Sequence, residues 1–252
     1  MTGDKRTDFK SNPLNPKLGL IWNPFLTTSV RAAFFRTLNV TRSSNQTLEP
    51  TQVAGFNQLF DDINGTIAWK FGGAVDHSFS KNLSAGFEYS ERQLEVPSSG
   101  KFYDWSEQLG RAYMYYTPTE FLSLGVDYYF ERYNRNNKPL GLGIRDIKSQ
   151  WLPVTLNLFH SSGISLMLKS SYVNQYGLFD LNNKGYFGNS AFFIFDLNLR
   201  YRLPSRYGLV NLGIKNLFNN HFQYQSTNQN TDSIEVLFAP EMTLFTQVKL
   251  AF

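Results

Sequence analysis

The sequence predicts an all-β fold: an antiparallel up-and-down transmembrane β-barrel with about eleven strands present, forming part of a larger barrel. Three observations carry this expectation. Apolar and polar residues alternate with period two along most of the chain. The alternating segments have about the 9–11 residues, plus overhang, that a tilted membrane-spanning strand needs. The connectors between them are short and long in strict turn, as in a barrel with tight turns on one side of the membrane and long loops on the other.

The alternation is clearest near the C-terminus. Phe193, Phe195, Leu197, Leu199, Tyr201 and Leu203 share one face of a segment whose other face carries Ile194, Asp196, Asn198, Arg200 and Arg202. Met242, Leu244, Thr246, Val248, Leu250 and Phe252 alternate in the same way with Thr243, Phe245, Gln247, Lys249 and Ala251. Similar patterns run through Leu83 to Tyr89, Leu122 to Phe130, Ile164 to Leu168, Ile67 to Phe71 and Val210 to Ile214. The predicted strands are 16–22, 26–36, 65–77, 82–93, 105–116, 120–133, 147–159, 163–175, 191–203, 207–217 and 242–252. Segments 26–36 and 105–116 alternate poorly and are assigned because their neighbours require them. Short links are expected at Asn23–Phe25, Ser78–Lys81, Thr117–Thr119, His160–Ser162 and Pro204–Arg206, and long ones at 37–64, 94–104, 134–146, 176–190 and 218–241.

Composition narrows the function. Charged residues are 17% of the chain and the formal charge is only +4, which argues against a nucleic-acid partner. No apolar run reaches the roughly 18 residues of a spanning helix. There is no Cys, which removes disulfides, thiolate metal sites and thiol catalysis. Aromatics reach 16% at a mean hydropathy of −0.33. A soluble barrel would show the same alternation with the faces inverted. The strand count decides between them, because about eleven long strands enclose more space than side chains fill, so the polar face is expected inside and the aromatic face in lipid. Leu199 is then expected near the bilayer midplane.

Two terminal features carry a family resemblance. Val210-Asn211-Leu212-Gly213-Ile214-Lys215-Asn216-Leu217-Phe218-Asn219-Asn220-His221-Phe222 resembles the penultimate-strand signature of TonB-dependent outer-membrane receptors, with Phe222 at the usual Tyr. The terminal Phe252 resembles the signal read by the outer-membrane barrel assembly machinery. Asn15 to Pro24 is similar to a hairpin of such receptors, and Leu48-Glu49-Pro50-Thr51 to their L-x-P-E element with Thr in place of Glu. The resemblance spans residues 12 to 252 and only the family's barrel. It implies a Gram-negative outer-membrane location, contact with outer-membrane lipid, and uptake of a scarce ligand such as a chelated metal or large solute. It also implies a plug domain and an energy-transducing protein as partners, engaged through parts outside this chain. Residues 47–62, with Gly55-Phe56-Asn57-Gln58-Leu59-Phe60, depart from ordinary receptors, so a passive or export porin, including a polysaccharide-export type fused to periplasmic helical repeats, stays open as the alternative.

If Phe252 ends on the periplasmic side, the first and last strands both descend and the strand number is odd. A single-chain bacterial barrel needs an even number. Residues 1–252 are therefore expected to be one barrel portion, a C-terminal fragment without a plug.

The lumen-facing charges by alternation are Lys70, Asp76, Glu88, Arg92, Asp127, Glu131, Lys169, Asp196, Arg200, Arg202, Lys215 and Lys249. Asp196, Arg200 and Arg202 form the densest group, and the loops Tyr176 to Gly188 and Phe222 to Asp232 are the expected ligand contacts. No catalytic residue, metal ligand or cofactor site is expected, and no enzymatic activity. The three histidines are dispersed, and in His77-Ser78 and His160-Ser161 adjacent residues point to opposite faces. Gly141-Leu142-Gly143 lacks the third glycine and the strand-turn-helix setting of a nucleotide loop.

Overall fold

The structure is a computed structural model of the chain and describes residues 14–39, 52–57, 62–98, 100–135, 143–181, 184–225, 236–238 and 241–250. In chain order the strands are β1 (Lys17–Phe25), β2 (Thr28–Leu38), β3 (Gln52–Val53), β4 (Phe56–Asn57), β5 (Ile67–Ser80), β6 (Leu83–Ser98), β7 (Lys101–Thr119) and β8 (Leu122–Asn134). They continue as β9 (Gly143–Phe159), β10 (Ile164–Leu181), β11 (Lys184–Arg202), β12 (Gly208–Lys215), β13 (Gln223–Gln225), β14 (Val236–Phe238) and β15 (Thr243–Leu250), with a 3-10 turn at Pro204–Arg206 between β11 and β12.

Eleven strands form one antiparallel sheet in the order β1-β2-β5-β6-β7-β8-β9-β10-β11-β12-β15. Each pairs with its neighbour in the chain, so the meander predicted from alternation is present, including β2 and β7, where the alternation is poor. The short pairs β3–β4 and β13–β14 lie inside the long connectors after β2 and β12.

The ladders make the two faces explicit, because residues paired across an antiparallel sheet share a face. Val75, Phe87, Ala112 and Tyr128 line up on one side, as do Leu152, Tyr172 and Phe193. Toward the short turns the same face carries Leu158, Leu166, Leu199 and Leu212, then Ile164, Tyr201, Val210 and Val248. Most of these side chains are exposed: Phe193 is 50% accessible, Phe87 51% and Val248 58%. A continuous exposed apolar face of that extent needs a nonaqueous surround, and its alternation with a charged face identifies it as the lipid face of a membrane sheet.

On β11 the lipid-facing stretch from Phe193 to Tyr201 is eight residue steps, about 26 Å along the strand. Tilted by about 35–45°, it spans about 18–21 Å of depth, within an apolar band about 25 Å tall. Its centre is Leu197, between Leu168 and Ile214. Leu199, on the same outward face, sits one rung nearer the short turns.

Two expected long loops are ladders instead. β6 and β7 stay paired out to Ser98 and Lys101, and β10 and β11 out to Leu181 and Lys184. Past the membrane a hydrogen-bonded ribbon satisfies its backbone groups internally, so the strands run on. The short links shift as well: the turns fall at Leu26–Thr27 and Glu120–Phe121, because β1 runs through Asn23–Phe25 and β7 through Thr117–Thr119.

The connector after β2 turns inward. Ala33, Phe35 and Ala74 on the charged face are buried with Phe56 of the β3–β4 hairpin, and Val53 and Ala54 pack on them. Phe56 lies where a side chain on Gly72 would stand, its ring atoms 2.5 to 2.8 Å from that position. Glycine at 72 is what admits the ring.

Candidate functional site

The charged face is the inner wall, since unpaired and ion-paired charges cannot face hydrocarbon. It divides into two unlike halves.

From β2 to β9 the inner-face arginines Arg31, Arg92 and Arg111 are each ion-paired. Arg31 on β2 reaches across β5 to Asp76 Oδ2 at 3.3 Å and to Glu88 Oε2 on β6 at 3.0 Å. Tyr113 lies over Gly86, within 2.6 Å of where a Cβ would be, and this brings its hydroxyl to donate to Asp76. One step along, Arg111 Nη2 binds Asp127 Oδ1 at 2.7 Å and stacks on Tyr113 and Tyr129. Tyr115 also donates to Asp127, at 3.0 Å. The result is a lattice of guanidinium, carboxylate and phenol across the middle of the wall.

Above it, Arg92 binds both Asp62 and Glu107, with all three side chains no more than 5% exposed. Asp62 belongs to the connector and the other two to the wall. The pair Arg92–Asp62 therefore anchors the connector, aided by the Asn39 amide, which donates to the Asp62 carbonyl. Lys70 Nζ donates to the Asn57 carbonyl at 3.2 Å and holds the hairpin from its other side.

The second long connector also touches the wall. Phe222 stacks on Phe192 with centroids 4.0 Å apart, and Tyr224 packs on Trp151 at 5.7 Å. Burial pushes the Tyr224 phenol well above its ordinary range, the Glu131 carboxylate pushes it the same way, and a hydrogen bond with Ser149 pulls it back.

From β10 to β15 the wall differs. Among the described residues, Lys169, Arg200, Arg202, Lys215 and Lys249 share the inner face of these strands with one carboxylate, Asp196. Asp196 faces Lys169 across the ladder, and its Oδ1 accepts the backbone N–H of Asn216 at 3.0 Å. The expected group of Asp196 with Arg200 and Arg202 is thus on one face of one strand, but no ion pair joins its members. Lys215 lies over the Phe245 ring at 5.7 Å. Phe252 lies outside the described residues, as do the side chains of residues 179–186 and 226–232 within the expected contact loops.

The signature after β12 has a structural explanation. Asn216 and Asn219 both adopt φ of 51°, a left-handed conformation that Asn tolerates better than most residues. Asn216 accepts from the Asn220 N–H at 3.0 Å and donates to the Asn220 carbonyl at 2.9 Å, and Asn219 Oδ1 accepts the N–H of Met242 at 2.8 Å. The motif stops β12 sharply and ties the return of the chain into β15.

Several of these residues escape alternation. Arg31 lies in the poorly alternating segment 26–36, and Glu107, Arg111, Tyr113 and Tyr115 in 105–116. In the first, Ala32-Ala33-Phe34-Phe35 is apolar on both faces because the hairpin covers the inner one. Only the ladder assigns Arg31 to a face.

Fold and faces together define the wall of an outer-membrane β-barrel. No family model and no curated protein matches the chain. Among solved structures it is similar to "OmpT (in-vitro folded), an outer membrane protein of Vibrio cholerae", at 11% identity and a TM-score of 0.47 over 92% of this chain and 93% of that one. At that level the likeness carries nothing about chemistry, ligand or partner.

The expectation that the chain is not an enzyme is corrected. It rests on histidines that cannot reach the serines beside them, yet both imidazoles hold other hydroxyls. Thr28 Oγ1 lies 2.8 Å from His77 Nδ1, and Ser162 Oγ lies 2.8 Å from His160 Nδ1. The similar structure, described only as an outer membrane protein, supplies no ground for a non-enzyme either.

Proposed function

We propose that the chain forms part of the wall of an outer-membrane transport barrel of the TonB-dependent receptor kind, which takes up a scarce ligand such as a chelated metal or a large solute. The observation that carries the reading is the inner wall itself. It carries charged side chains on strands from β2 to β15 in an eleven-stranded sheet, a width that side chains alone do not fill, so it faces water, solute or a plug. The Asn216–Asn220 turn supports the receptor assignment, since it stands where the family's strand signature is resembled. In this reading Asp196, Arg200, Arg202, Lys215 and Lys249 line the path or seat a plug, and Phe252 addresses the assembly machinery. The edge strands β1 and β15 run in the same direction, so direct closure between them would be parallel. We infer that an odd number of further strands completes the barrel.

One observation favours a second reading, a passive or export porin: the β3–β4 hairpin is packed on the inner face, where it narrows a pore without a plug. Planar-bilayer recording of the full-length protein separates the two. A plugged receptor gives no steady conductance, and its ligand uptake in cells stops when the proton motive force is collapsed. A stable ohmic conductance, together with transport indifferent to the proton motive force, would refute the receptor reading in favour of the porin.

A further inference from the structure

The two halves of the inner wall face the same interior, yet they treat their cations differently. Arg31, Arg92 and Arg111 each hold at least one carboxylate. Arg200, Arg202 and Lys249 are exposed, and among the described residues none of the three is in an ion pair.

The three are also close together. Arg202 and Lys249 flank Leu209 on the two neighbouring strands, two strand spacings or about 10 Å apart between their Cα atoms. Arg200 stands two residues from Arg202, about 7 Å along the same strand. The next rung is Arg200, Asn211 and Gln247, so two amides sit beside the three cations. Asn211 is 6% exposed and its side-chain oxygen has no hydrogen-bond partner. The unpartnered atom is an acceptor, so a hydroxyl or N–H donor carried by a ligand completes its bonding, while the ligand's anionic oxygens meet the neighbouring cations.

We propose that the inner face of β11, β12 and β15, at the end near the short turns, is a binding site for polyanionic solutes, with Arg200, Arg202 and Lys249 as the charge contacts and Asn211 and Gln247 as the polar ones. A solute with several anionic groups engages the three cations together and relieves their mutual repulsion. Arginine suits phosphate, sulfonate and carboxylate groups because its planar fork meets two oxygens at once. The site deepens the transport reading and rests on it for its purpose, but its test requires neither energy coupling nor an open pore.

The test uses the full-length protein in zwitterionic detergent, with the trisulfonated dye pyranine as the probe, anisotropy as the readout and inorganic tripolyphosphate as the competitor. Saturable dye binding that tripolyphosphate displaces is expected. The triple variant Arg200→Gln, Arg202→Gln, Lys249→Gln is expected to weaken it at least tenfold, and Lys81→Gln, in a short turn away from the site, by less than twofold. If the triple variant loses the gel mobility shift of a folded barrel, Lys249→Gln alone is used, with about a threefold loss expected. Binding unchanged in the cation variants, or weakened equally by Lys81→Gln, would overturn the site. Failure of the receptor reading shows separately, in the conductance and proton-motive-force measurements.

Discussion

Leu197→Arg against Asn198→Arg tests the assignment of faces on which every functional statement depends. Leu197 lies four residues from Phe193 and four from Tyr201, about 13 Å along the strand from each, and between Leu168 and Ile214 on the neighbouring strands. An arginine there sits at the middle of the apolar band, where the cost is about 2–4 kcal/mol, or a loss of about 30- to 900-fold in the folding constant. Asn198 is the next residue on the opposite face, across from Met167 and Gly213. An arginine at 198 stands about 7 Å from Arg200 and as far from Asp196 on the same face, so repulsion and attraction nearly cancel in a wet lumen. Its cost should be under about 0.5 kcal/mol. Urea unfolding of the full-length protein from lipid vesicles, followed by tryptophan fluorescence, measures both. If Asn198→Arg costs as much as Leu197→Arg or more, the charged face is not the lumen and the membrane sheet falls with it.

Further outcomes follow from the contacts. Arg92→Met leaves Asp62 and Glu107 buried without their cation and should cost about 3–5 kcal/mol, whereas Arg31→Met, in a partly exposed pair, should cost about 1 kcal/mol; equal losses in chemical unfolding would contradict the difference in burial. Asn216→Ala should cost about 2–3 kcal/mol, from two lost hydrogen bonds and a left-handed φ that alanine resists, and Asn216→Gly should cost less because it keeps the φ; the reverse order in the same assay would show that the conformation is unimportant. Gly72→Val puts a side chain into the Phe56 ring and should push the β3–β4 hairpin off the wall. A cysteine at Asn57 would report this by faster labelling with a membrane-impermeant maleimide, and unchanged labelling would mean that the hairpin is held by other contacts.

The residues alone carried the strand count, the meander and the identity of the two faces, because a period-two pattern is local and each strand of a meander pairs with its chain neighbour. The sharp stop after β12 came from the structure: the predicted strand 207–217 ends at Lys215, where Asn216 turns left-handed and bonds to Asn220, and Asn219 reaches Met242 across 23 residues. The tertiary structure decided what depends on distance along the chain. Arg31 meets Glu88 across a separation of 57 residues, and Asp62 meets Arg92 across 30. Phe56 enters the wall over Gly72, an arrangement with no periodicity to announce it. Where that hairpin covers β2, both faces of the strand became apolar and the alternation that would have placed Arg31 was erased. The ribbons beyond the membrane look like loops in the sequence because, outside the lipid, a paired strand no longer needs an apolar face, and the pattern that marks it disappears while its hydrogen bonds continue.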